Sequence, residues 1–210
     1  MNAFRDIDEF LQSGIDVVVE CANREVVLQY APRMITKKNL LIFSIGAFVD
    51  PNFYSELQQM ASENMRKLIL PSGAIGGLDV IKAAKLSGGL EEVTITTRKP
   101  ASSLTEVEMT EKTVIFNGRA TDAIHKFPKN VNVAIILSLV GLGTDETKVQ
   151  VIADPSIDKN KHTIYVRGDF GACTVEIENL AMPSNPKTSY LTGLSILASI
   201  KALVDPIVIG

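Results

Sequence analysis

The sequence contains two histidines, and His162 is the one whose position best suits proton transfer. It follows a polar loop at 154–161 and begins a segment in which His162, Ile164 and Val166 alternate with polar residues. Because imidazole titrates near neutral pH, such a histidine can act as a general acid or base. The alternative is a buried, hydrogen-bonded histidine with a structural role only. His125 lies in a short helical segment, and we expect it to be structural or solvated.

Residues 71–78 are a second candidate site, because small residues follow directly after a short apolar segment. Their sequence, PSGAIGGL, resembles a phosphate-binding loop in composition but lacks the G-x-G-x-x-G spacing of a dinucleotide-binding turn. Ligands of open parallel sheets bind beyond the carboxyl ends of the strands, where helix N-termini converge. Ser72, Gly73 and Ala74 would leave room there for a flat ligand. The alternative, that these small residues only permit a tight turn, stays open.

Amide, hydroxyl and ammonium side chains precede or begin two apolar segments that we expect to be helices, at 133–140 and 188–204. Because the exposed N–H groups of a helix N-terminus attract anions, these side chains are candidates for carboxylate binding. Simple helix capping is the alternative. The candidates are Lys129, Asn130, Asn132, Lys187 and Thr188, and Arg98 with Lys99 is a further possible anion contact.

Composition and charge argue against several classes of protein. The 210 residues include 21 Lys and Arg against 24 Asp and Glu, without blocks of like charge, so we expect neither nucleic-acid binding nor membrane attachment. The longest apolar stretch, 133–143, is far shorter than the roughly 20 residues of a membrane helix. Cys21 and Cys173 lie in separate apolar segments, which argues against a disulfide framework and a metal site. We expect a cytoplasmic protein without a metal.

Two patterns of elements divide the chain. Short apolar strands at 17–19, 40–45 and 68–70 alternate with helical segments, which is typical of a parallel sheet covered on both faces. One of these helices should begin at Asp50 and Pro51. Further along, alternating segments at 162–167 and 173–178 flank a turn and predict an antiparallel hairpin. We therefore expect an α/β domain followed by an α+β domain.

Several stretches of the sequence are long enough to indicate a protein family when they occur together and in this order. They are DVVVECA (16–22), FSIGAF (43–48), PSGAIGGLDV (71–80), TTRKP (96–100), FPKNVNVA (127–134), VIADP with NKH (151–162), GDFG (168–171) and ENLAMPSNPKTS (178–189). From Asp6 to the C-terminus, the chain resembles the L-aspartate dehydrogenase family on these strings.

The resemblance implies an enzyme that uses NAD or NADP to oxidise L-aspartate to iminoaspartate, which hydrolyses to oxaloacetate and ammonia or feeds NAD biosynthesis. It also implies a homodimer whose Rossmann domain is completed by the C-terminal helix. By position in the matching strings, His162 would be the catalytic residue. Cofactor binding would involve Ala74 and Asn132, with Ser72 and Gly73 beside Ala74, and substrate binding would involve Lys129, Asn130, Lys187 and Thr188.

The sequence departs from the family's pattern at its N-terminus. The fifteen residues before Asp16 are too few to hold the family's first strand, glycine-rich turn and second strand. We therefore expect an N-terminally shortened member, whose Rossmann-like parallel sheet lacks its first strand-helix-strand unit and leaves the strand at 16–20 at an edge. Alternative hypotheses are a non-catalytic relative that acts as a binding or interaction protein, and a related NAD(P)-dependent reductase with another substrate.

The predicted domain boundaries follow from this resemblance. Residues 1–77 together with 188–210 would form a partial Rossmann-like dinucleotide-binding domain. Residues 78–187 would form an α+β domain for substrate binding, catalysis and dimerisation.

Overall fold

The computed structural model describes residues 3–105, 108–127 and 132–207, except for the side chains of residues 186 and 187. Lys129 and Asn130 therefore lie outside the described residues, as does the side chain of Lys187. The chain divides into two compact units, Met1–Pro71 and Ser72–Gly210. The grouping of residues 188–210 with residues 1–77 stays a prediction.

The first unit is a three-stranded parallel sheet with helical connections, as its alternating pattern predicts. The strands are β1 (Val17–Glu20), β2 (Asn39–Ile42) and β3 (Leu68–Ile69), in the spatial order β1-β2-β3. The helices are α1 (Ile7–Gln12), α2 (Arg24–Ile35), a 3-10 helix (Ile45–Val49) and α3 (Pro51–Glu63). Three successive residues of the central strand, Leu40, Leu41 and Ile42, are fully buried, because both faces of this strand are covered.

The start of α3 is confirmed at the predicted position. Asp50 Oδ1 accepts a hydrogen bond from the Asn52 N–H at 2.9 Å, and Pro51 occupies the first turn, where its missing N–H leaves no bond unmade.

A buried carboxylate joins the carboxyl ends of β1 and β2. The Glu20 side chain accepts hydrogen bonds from the Ala22 N–H at 2.7 Å, the Ser44 N–H at 3.0 Å and the Ser44 hydroxyl at 2.9 Å. Glu20 is only 5% exposed, so these donors have little access to water as a substitute acceptor. The carboxylate therefore holds both loops against the end of the sheet.

The second unit contains a five-stranded mixed sheet and a small two-stranded sheet. Its strands are β4 (Leu90–Pro100), β5 (Thr113–Arg119), β6 (Lys148–Asp154), β7 (Asn160–Gly168), β8 (Gly171–Asn179), β9 (Ala181–Met182) and β10 (Asn185–Ser189). Its helices are α4 (Leu78–Leu86), a 3-10 helix (Ala101–Ser103), α5 (Ala120–Lys126), α6 (Asn132–Val140) and α7 (Tyr190–Lys201).

The five strands follow the order β5-β6-β4-β7-β8, with β4 central and β7 and β8 forming the predicted hairpin. Strand β4 runs parallel to β6 and antiparallel to β7. Helices α4, α5 and α6 pack on the face of the sheet to which Val93, Ile95 and Thr97 belong. We refer to this side as the helix-covered face.

The predicted start of the last helix at Thr188 is wrong. Residues 185–189 form β10, which pairs with β9, and α7 begins at Tyr190. The backbone of Ser189 is extended, and the Tyr190 N–H donates to the carbonyl oxygen of Leu180 at 2.8 Å. This tertiary pairing outweighs the local sequence pattern that predicted a helix from Thr188.

We predict that Glu20→Ala lowers the free energy of unfolding by about 2 kcal/mol, because it leaves two backbone N–H groups without their acceptor. Urea denaturation followed by circular dichroism measures the change. Glu56→Ala is the matched control: this carboxylate is exposed on α3, and its removal should change stability by no more than about 0.5 kcal/mol. Equal stabilities of the two variants would contradict the structural role of Glu20.

Candidate active site

His162 lies on the helix-covered face of β7, as its alternation with Ile164 and Val166 predicts. It is 3% exposed and stands directly across from Thr97 on β4, which is 1% exposed. His162 Nδ1 and Thr97 Oγ1 are 3.1 Å apart and share a hydrogen bond. The imidazole is therefore held by one ring nitrogen between two interior strands of the sheet.

The surroundings of His162 favour a neutral imidazole. Burial, together with the positive charge of Lys99, lowers the pKa of His162 to about 4. A hydroxyl group partners Nδ1, whereas a carboxylate there would stabilise the imidazolium. The ring is therefore uncharged at neutral pH, which is the form that can accept a proton.

Lys99 lies two residues beyond Thr97 on β4 and therefore on the same face as His162. Burial also lowers the pKa of Lys99 itself. Its neighbour Arg98 belongs to the opposite face and forms an ion pair with the buried Asp154. Of the two basic residues considered as an anion contact, Lys99 is thus the one that lies on the His162 side.

The loop at 72–77, here called the glycine loop, lies on the same face of the sheet. A Cβ at Gly77 would be 2.8 Å from Cγ2 of Val175 on β8, which is too close for any other residue. The φ of Gly77 is +74°, which also favours glycine at this position. Val175 pairs directly with Ile164, which shares its face with His162. The candidate proton-transfer residue and the candidate ligand-binding loop are thus on one side of the sheet.

Two side chains hold the backbone of the glycine loop. Asn179 Nδ2 donates to the carbonyl oxygen of Ala74 at 3.0 Å, and the Gly73 N–H donates to Ser195 Oγ at 3.1 Å. Asn179 and Ala74 are 4% and 8% exposed. Ser72 is half-buried at the start of the loop. These bonds fix the backbone that the sequence singled out for ligand binding.

Asn132 and Thr188 are the two other predicted site residues whose side chains the structure describes. Asn132 is the first residue of α6 and is exposed. Thr188 lies in β10, where its hydroxyl accepts a hydrogen bond from Asn185 Nδ2 at 3.1 Å. The structure gives neither residue a hydrogen bond to His162, so their roles in binding stay predictions.

Thr97, Asn179 and Ser195 were not identified as site residues from the sequence. Thr97 and Asn179 were detectable as polar residues at strand positions that should face the core. Thr97 follows Val93 and Ile95 at two-residue spacing, and Asn179 follows residues 175 and 177 in the same way. Ser195 lies on an apolar helix. The pattern shows that such residues need partners, but the partners come from strands and loops distant in sequence.

The geometry accords with what comparison with known proteins finds. A family model described as "Aspartate dehydrogenase, C-terminal" matches residues 79–203, which include Thr97, Lys99 and His162. The chain belongs to the aspartate dehydrogenase family. A second model, described as "Homoserine dehydrogenase, NAD binding domain", matches residues 2–71.

Individual members of the family match along nearly the whole chain. The L-aspartate dehydrogenase of Methanosarcina barkeri is 41% identical over 97% of this chain and 79% of the relative. That of Methanocella arvoryzae is 42% identical over 96% and 79%. The crystal structure of aspartate dehydrogenase from Thermotoga maritima superposes with a TM-score of 0.83 and 32% identity, covering all of this chain and 83% of that one. The resemblance to NAD(P)-dependent amino-acid dehydrogenases is thereby confirmed.

The glycine loop has features that fit the nicotinamide dinucleotide used by this family. A Cβ at Gly73 would meet no atom within 4 Å, so the backbone is open on that side. Asn179 Oδ1 is buried and has no hydrogen-bond partner among the described residues, which leaves an acceptor beside the loop for an amide N–H. Among the described residues, no three His, Cys, Asp or Glu side chains form a cluster that could hold a metal ion.

We predict that the pKa of His162, measured by NMR titration, is near 4. A His125→Asn variant retains His162 as its single histidine and gives an unambiguous spectrum. Because an unfolded histidine titrates near 6.5, the unfolded chain binds more protons between pH 6.5 and 4, and stability should fall by up to about 3 kcal/mol as pH decreases through that window. A pKa of 6.5 or higher in the folded protein would contradict a neutral, buried ring.

Proposed function

We propose that this chain catalyses the NAD(P)-dependent oxidation of L-aspartate to iminoaspartate, which water converts to oxaloacetate and ammonia. The observation that carries the proposal is the neutral, buried imidazole of His162 on the same face of the sheet as the glycine loop. Membership of the aspartate dehydrogenase family and the names of its members support the choice of substrate.

We assign His162 the role of proton acceptor. Aspartate must lose a proton from its α-ammonium group before the Cα–H bond breaks and the nitrogen lone pair forms the C=N bond. The neutral His162 imidazole can take that proton and release it to solvent. It can then take a proton from the water that adds to the imine carbon and give that proton to the nitrogen, which departs as ammonia. The bound nicotinamide supplies the hydride acceptor. The remaining task of the chain is to hold the amino acid at reaction distance.

The substrate carries two carboxylates, and both need cationic or N–H partners. Lys99 is suited to one of them, since it places a partly buried positive charge on the His162 side of β4. We propose that the other contacts come from the predicted set, which is Lys129, Asn130, Lys187 and Thr188. The cofactor is assigned to Ser72, Gly73, Ala74 and Asn132.

We also propose a homodimer in the cytoplasm, in keeping with the family resemblance. Cys21 and Cys173 are both free thiols, which suits a reducing compartment. No helix among the described residues is long and apolar enough to cross a bilayer. Light scattering on the purified protein measures the oligomeric state, and a monomer at micromolar concentration would contradict the dimer.

The reaction is tested by incubating the protein with oxaloacetate, ammonia and NADH or NADPH and following the loss of absorbance of the reduced cofactor. We expect turnover that requires both oxaloacetate and ammonia, and the reverse reaction with L-aspartate and the oxidised cofactor. Turnover with another keto acid but none with oxaloacetate would assign a different substrate. Cofactor binding without turnover of any keto acid would favour a non-catalytic relative.

For His162→Ala we predict a decrease in kcat of about 100-fold or more, because general acid and base catalysis contributes factors of this size. The assay is the same, with circular dichroism to check the fold. His125→Ala is the matched control and should retain activity, since this exposed residue lies on α5. An unchanged kcat in His162→Ala would remove the imidazole from the mechanism.

A further inference from the structure

Thr97 and His162 are a directly paired cross-strand couple in the interior of the sheet. Strand β4 is bonded on both sides, to β6 and β7, and β7 is bonded on both sides, to β4 and β8. Both side chains are almost completely buried, and 3.1 Å separates Thr97 Oγ1 from His162 Nδ1. The ring is therefore held at Nδ1 by an interior strand of the sheet, which leaves Nε2 as the nitrogen for proton transfer.

A threonine hydroxyl has chemical properties that a carboxylate at this position would lack. It can donate a hydrogen bond to an unprotonated Nδ1 or accept one from a protonated Nδ1, and hence it can hold either neutral tautomer of the ring. An ionised carboxylate can only accept, so it fixes the proton on Nδ1 and stabilises the imidazolium. A hydroxyl partner thus orients His162 without charging it.

The charged groups around the pair agree with this role. Among the charged groups that the structure describes, Lys99 is the one whose charge acts on the His162 ring. Its positive charge opposes protonation of the ring. Side chains alternate between the two faces of a strand, so three neighbouring charged residues lie on the other face of the sheet: Arg98, Lys161 and Glu178. Helix α4, which packs on the helix-covered face, has three charged residues, and all are exposed: Asp79, Lys82 and Lys85. Helix α6 has no charged residue within Asn132–Val140.

We propose that Thr97 is a positioning residue for catalysis by His162: its hydroxyl orients the imidazole through Nδ1 and directs Nε2 to the substrate. This rests on the proposed function, in which His162 transfers protons. The hydroxyl itself need not touch the substrate.

The test compares Thr97→Val, which removes the hydrogen bond at nearly constant volume, with Thr97→Ser, which retains the hydroxyl. We expect kcat to fall about 10-fold or more in Thr97→Val, with KM for aspartate changed by less than about 3-fold, and to be restored to within about 3-fold of the original in Thr97→Ser. Thr96→Val is the matched control, because this neighbour lies on the opposite face of β4. Equal kcat values in the original protein and Thr97→Val would overturn the proposal.

A second measurement does not depend on activity. In the His125→Asn background, ¹⁵N NMR of the His162 ring reports its tautomer and the hydrogen bond at Nδ1. We expect the Nδ1 shift and the tautomer ratio to change in Thr97→Val and to be retained in Thr97→Ser. If Thr97→Val does not fold, Thr97→Ala serves in its place. Unchanged ring shifts would overturn the positioning role, whereas changed shifts in a protein inactive towards aspartate would reject only the proposed function.

Discussion

The pairing of β4 with β7 is the constraint on which the candidate site depends. It sets Thr97 opposite His162 on the helix-covered face, where both side chains are almost completely buried. Desolvation then disfavours the charged ring, and the nearby ammonium of Lys99 acts in the same direction. A one-residue shift in this register would turn His162 to the other face and place it among the charged side chains there.

The glycine loop depends on the same sheet through β8. Gly77 approaches Val175 more closely than any side chain would permit, and Asn179 holds the loop by the carbonyl oxygen of Ala74. A small-residue segment that could have served only as a turn is thus fixed over the face that carries the imidazole. The strands supply the position, and the loop supplies a backbone that is open on one side at Gly73.

Much of this arrangement was predictable from local pattern. The alternation around His162 predicted both its strand and its buried face, and Asp50 with Pro51 predicted the start of α3. Long matching strings predicted the family. The predicted helix start at Thr188 failed because pairing between β9 and β10, which is a contact between segments, competes with a local capping signal.

Periodicity and residue type by themselves determined the two kinds of unit, the inward face of β7 and the identity of the proton-transfer candidate, because these properties depend on neighbours in sequence. The tertiary structure alone decided that Thr97 partners the ring, that Lys99 lies on its side while Arg98 does not, and that Asn179 secures Ala74. Thr97 and His162 are 65 positions apart in the sequence, and Ala74 and Asn179 are 105 positions apart. Strand order and register bring them together, and neither is encoded in any short segment of the chain.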